Sequence, residues 1–115
     1  FERDGNNLII TVPISFTQAA LGTTIDVPSL DGTQKLKIPP GTQYGSTFRI
    51  KGQGLPDMRT GRSGDQMVYA IIETPVKLSE KQEELLREFA KTENKTVLPK
   101  SKGFFEKIRR SGDNI

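Results

Sequence analysis

The chain has 115 residues, 33% of them hydrophobic and 27% charged, with 17 Lys and Arg against 14 Asp and Glu. It contains no cysteine and no histidine, which excludes disulfides, zinc–thiolate centres, cysteine nucleophiles and Ser-His-Asp triads from these residues. No apolar run approaches the ~18 residues a membrane span needs, and no signal-peptide core is present.

This length fits one domain, or a small domain with an appendage, and the composition is that of a soluble globular chain. A start at Phe1 without methionine is expected of a piece of a longer protein. Residues 1–75 carry seven basic and seven acidic side chains and residues 76–115 carry ten and seven, so the net +3 belongs to the tail. A basic tail reads first as a solvated helix surface. A nucleic-acid interface would want the charge on the folded body.

In chain order, "NLIITVPISF" (residues 7–16) alternates, with Leu8, Ile10, Val12, Ile14 and Phe16 on one face, and predicts a half-buried strand. Pro13 lacks an N–H and must face an edge or an unpaired side. "TQAALG" predicts one helical turn ended by Gly22 in the left-handed conformation. "TTIDVPSL" and "TQKLKI" predict two strands joined at Asp31-Gly32, a pair suited to a hairpin whose turn residues take positive φ. Ile25 and Val27 share one face of the first arm, and Leu36 and Ile38 point inward from the second. "PPG" at 39–41 breaks the pattern. "TFRI" (47–50) is a further short strand. "QMVYAIIE" (66–73) is apolar on both faces and predicts a central strand.

Beyond Thr74-Pro75, Ser79 and Gln82 form a capping box. Leu85, Leu86, Phe89 and Ala90 then make a helical stripe, with Glu83 and Arg87 paired on the outside. "TENKTVLPKS" (92–101) reads as a linker. "GFFEKIRR" predicts a helix of about eight residues with Phe104, Phe105 and Ile108 on one side, and "SGDNI" is expected to fray. The fold class is mostly β: two small packed sheets with a short helical turn, then a helix and a terminal short helix. The expected divisions are a β-domain over 1–76, a packing helix over 77–91, and a linker with terminal helix over 92–115.

The stretch "KGQGLPD" (51–57) tests as a phosphate cradle and fails. A dinucleotide fingerprint needs Gly or Ala where Asp57 stands, with a helix opening there, and a P-loop needs a Gly-Lys-Ser/Thr ending that is absent. The glycines instead permit tight turns on the way between strands. Asp26, Asp31, Asp57 and Asp65 are scattered beside turns or on exposed faces. No pair converges for acid–base work, so no catalytic or metal-binding residue is assigned and the chain is read as a non-enzyme.

The order of "FERDGNNLIITVPISFTQAALGTTIDVPSLDG", "KIPPGTQYGSTFRIKGQGLPDM" and "GDQMVYAIIETPVKLSEKQEELLREFA" resembles the second C-terminal β-domain of the DnaJ family of J-domain co-chaperones, over nearly the whole chain to about Arg110. The resemblance implies a cytoplasmic protein of the heat-shock and stress response that binds non-native polypeptide for a DnaK-type chaperone. That partner is engaged through the full-length protein. The family's His-Pro-Asp tripeptide and zinc-binding Cys-rich repeats are absent from these residues, so no cofactor is expected here. It also implies a shallow groove where a client peptide adds a strand, and places Ile10, Val12, Ile25 and Val27 near it; the plainer alternative for each is core packing. The corresponding C-terminal region pairs two chains, which makes Phe104, Phe105 and Ile108 dimerisation candidates. Their alternative is docking on the chain's own Leu85–Phe89 stripe. From another class, a small nucleic-acid-binding β-barrel would need aromatics interleaved with basic residues. Phe16, Tyr44, Phe48 and Tyr69 lack that arrangement, so neither nucleic acid nor membrane is an expected partner.

Overall fold

The computed structural model describes residues 1–94 and 97–113, so Lys95 and Thr96 of the expected linker and Asn114 and Ile115 of the expected frayed end lie outside the described residues. The chain falls into two units, Phe1–Pro75 and Val76–Ile115.

The first unit holds strands β1 (Glu2–Asp4), β2 (Asn7–Ser15), β3 (Thr23–Ser29), β4 (Gly32–Ile38), β5 (Ser46–Ile50) and β6 (Gln66–Glu73), with helix α1 (Phe16–Leu21) between β2 and β3. One sheet has the order β1-β2-β6-β5 and the other is the β3-β4 pair, in agreement with the two-sheet expectation. β2 and β6 run parallel, Leu8 opposite Gln66 through Ser15 opposite Glu73, while β1 and β5 pair antiparallel to their neighbours.

Alternation decides what is buried. Leu8 and Ile14 of β2, and Gln66, Val68 and Ala70 of β6, point inward and are buried. Ile14, Ala70, Ala19 of α1 and Ile38 of β4 form one core cluster, with Val12, Ile25, Leu36, Phe48 and Ile72 packed against it. The core therefore joins both sheets and α1. β6 is central, as its two apolar faces predict, yet only its inner face is sealed. Tyr69, on the other face, is 40% exposed.

Several local details differ from the sequence expectation. A first strand, β1, precedes the predicted one and turns into it through Gly5 and Asn6. Phe16 belongs to α1 because Ser15 caps that helix: its hydroxyl accepts the Gln18 N–H at 3.0 Å, and the Gln18 side chain accepts the Ser15 N–H at 3.0 Å. Gly22 ends α1 at φ 82° and ψ 155°, positive in φ but extended in ψ. The β3–β4 hairpin turns on Leu30 and Asp31, one residue earlier than predicted, because Ser29 pairs with Gly32. Asp31 keeps an ordinary φ, and Gly32 alone departs, at 124°.

The second unit contains α2 (Glu80–Thr92) and α3 (Pro99–Asp113). The Ser79–Gln82 capping box is present, and Arg87 Nε donates to Glu83 Oε1 at 3.2 Å. α3 has 15 residues, nearly twice the expected length. Its start falls at Pro99 because proline suits the first helical position, where no N–H is needed. Pro99 thus opens the helix that it was expected to precede.

Candidate functional site

β1 covers β2 only as far as Ile9. Leu8 donates its N–H to Asp65 O at 2.9 Å, so even-numbered amides of β2 face β6 and odd-numbered ones face the opposite side. Beyond Ile9 that side carries no paired strand among the described residues. Thr11 presents its N–H and C=O there, and Pro13 its C=O alone. The missing donor blunts an edge that would otherwise template indiscriminate pairing.

The four candidates from the two strands divide. Val12 and Ile25 belong to different sheets, pack against the same core cluster, and keep part of their surface open. Ile10 lies on the same inward face of β2 and is half-buried. Val27 is 0% exposed. It has no surface to offer a ligand and supports β3 from within. Close by, Gln66 is fully buried and donates from Nε2 to Pro28 O at 2.6 Å, tying β6 to β3.

The glycine-rich segment after β5 forms a second, smaller hairpin. Pro56 bridges Ser63, Asp57 N–H donates to Arg62 O at 2.7 Å, and Leu55 N–H to Asn6 O at 2.7 Å. Gly54 and Gly64 clasp the Gly5–Asn6 turn so closely that a Cβ on either would collide with Asn6 O. Asp65 accepts the Gly52 N–H at 2.9 Å and stands 3.5 Å from Arg49 Nε. These amides are spent on the protein itself, which is why the segment makes no phosphate cradle. Sequence reasoning assigned the glycines to turns. For Gly54 and Gly64 the decisive term is close backbone approach to Asn6, a residue far away in the sequence.

On α3, Phe104 and Phe105 are 59% and 60% exposed, and Ile108 is exposed as well. The two rings meet edge to face, centroids 5.4 Å apart. Leu85 and Phe89 of α2, the stripe offered as an alternative seat, are exposed as well. Among the described residues, no group of three or more acidic side chains could hold a metal ion, and no helix is long and apolar enough to cross a membrane.

Comparison with known proteins matches residues 1–75 to the DnaJ C terminal domain and residues 81–111 to the Chaperone protein DnaJ C-terminal region. The chain is 50% identical over 113 residues to Chaperone protein DnaJ of Rhodopirellula baltica, covering 98% of this chain and 29% of that protein. It is 51% identical over 109 residues to that of Ruminiclostridium cellulolyticum, covering 95% and 29%. For Listeria welshimeri the figures are 48% over 111 residues, 96% and 30%. The chain thus spans under a third of the length of the curated relatives it matches.

Proposed function

Because this chain belongs to the DnaJ C-terminal domain family, a family of chaperones, we propose that it pairs two copies through α3 and contributes to holding non-native polypeptide in the cytoplasm for a DnaK-type chaperone. The observation that carries the pairing is the exposure of Phe104 and Phe105 on one side of a 15-residue amphipathic helix. A two-fold contact satisfies the same patch on both copies at once.

Client capture is supported by the open side of β2. A peptide strand gains main-chain hydrogen bonds from Thr11 and the Pro13 carbonyl, while alternate side chains meet Ile10, Val12 and Ile25. So short a window binds weakly and tolerates many sequences. Two weak sites on paired chains act through effective concentration, which links the two halves of the proposal. Sedimentation of the chain with and without residues 97–115 tests the pairing: loss of the dimer on truncation is expected, and an unaltered association state contradicts it.

A further inference from the structure

We propose that the tip of the hairpin after β5 is a docking point for an acidic peptide segment carrying an apolar residue beside its carboxylates. Met58 stands at this tip and is 94% exposed. Arg59 and Arg62 follow it in the same turn, both exposed, and neither guanidinium takes part in an ion pair among the described residues. From Met58 to Arg62 the sequence MRTGR contains two cations and no acid.

The backbone that presents them is fixed. Gly61 N–H donates to Asp57 O at 2.8 Å and Arg59 N–H to Asp57 Oδ1 at 2.8 Å. Arg62 N–H reaches Thr60 Oγ1 at 3.3 Å. At the base, Gly54 N–H donates to Gly64 O and Gly64 N–H to Leu55 O, each at 2.9 Å. Asp57, the nearest acid, spends one carboxylate oxygen on the turn itself. The arrangement is a locked turn that thrusts an apolar thioether and two free guanidinium forks into water.

Guanidinium forks match carboxylates in bidentate geometry, and methionine adapts its shape to varied apolar side chains. A phosphate backbone would use the arginines and leave Met58 in water. The exposed apolar residue next to the cations therefore favours a peptide over a nucleic acid. This surface shares no residue with the β2 edge or with α3, so its test stands apart from the dimer and client proposals.

The test is fluorescence anisotropy on the 115-residue chain with a labelled peptide of alternating glutamate and leucine. A lysine–leucine peptide and a single-stranded oligodeoxynucleotide are the comparison probes. The acidic peptide is expected to bind best, with affinity falling as salt rises. Arg59→Gln with Arg62→Gln should cost about tenfold or more, as two charge-assisted contacts are lost. Met58→Ser should cost about threefold through lost apolar burial. All three side chains are exposed, and circular dichroism is the check that each variant folds. Equal binding by the double arginine variant, no binding by the unsubstituted chain, or preference for the oligonucleotide overturns the proposal.

Discussion

Replacing Phe104 and Phe105 together by alanine removes the apolar surface on which pairing through α3 depends. Burying one aromatic from full exposure is worth roughly 1.5–3 kcal/mol. Both rings already have some cover, being 59% and 60% exposed, so roughly 1–2 kcal/mol per ring is left to be gained on association. Two rings on each of two chains make this roughly 4–8 kcal/mol, or about three to six orders of magnitude in dimer affinity. Association itself costs roughly 4–15 kcal/mol in lost freedom, so little remains to hold the variant together. Sedimentation equilibrium over a concentration series reads the outcome: a dimer for the unsubstituted chain and a monomer for the variant. Circular dichroism guards against melting of α3, and alanine's high helix propensity works in the helix's favour. A variant that keeps its dimeric mass, or an unsubstituted chain that is monomeric throughout, rules out pairing through these rings.

Ile10→Ser, in protein shown to be folded, should weaken binding of an extended apolar client peptide severalfold; unaltered affinity in a calorimetric titration would retire the β2 edge as a client site. Gly64→Ala drives a methyl group into Asn6 O and should lower stability by roughly 2–4 kcal/mol, visible as a depressed thermal midpoint, whereas an unshifted midpoint would mean the turn yields freely. Ser79→Ala removes the cap of α2, whose hydroxyl accepts the Gln82 N–H at 3.1 Å. A loss of about 1 kcal/mol from that helix is expected, and undiminished helical ellipticity would show that the capping box contributes nothing.

The elements that local chemistry dictates were legible in the sequence. Alternation gave β2 and β5, an apolar run on both faces gave β6, the paired runs around Asp31-Gly32 gave β3 and β4, and the Ser79 capping box gave α2. What was misread had competing local signals. The alternation of β2 runs on to Phe16, and only the second capping box, Ser15 with Gln18, hands that ring to α1. Pro99 looks like a helix breaker unless it is taken as a first helical residue. β1 is three exposed residues without an apolar pattern, and its only signal is the Gly5–Asn6 turn. The candidate site was less legible because it depends on pairing between distant strands. Nothing local says that β6 lies between β2 and β5, that Val27 is wholly enclosed while Ile25 is not, or that Gly54 and Gly64 close upon Asn6.

The parallel pairing of β2 with β6 also constrains how the first unit assembles. Leu8 waits for Gln66, fifty-eight positions downstream, and closing a loop of that span costs roughly 3–4 kcal/mol before any contact repays it. The β1–β2 and β3–β4 hairpins need only their own neighbours and can form as the nascent chain emerges. A chain halted before Gln66 would hold those two ribbons, with the inward amides of β2 still facing water. The β2–β6 pairing must await the last strand synthesised in the unit, and non-local closure of this kind slows folding.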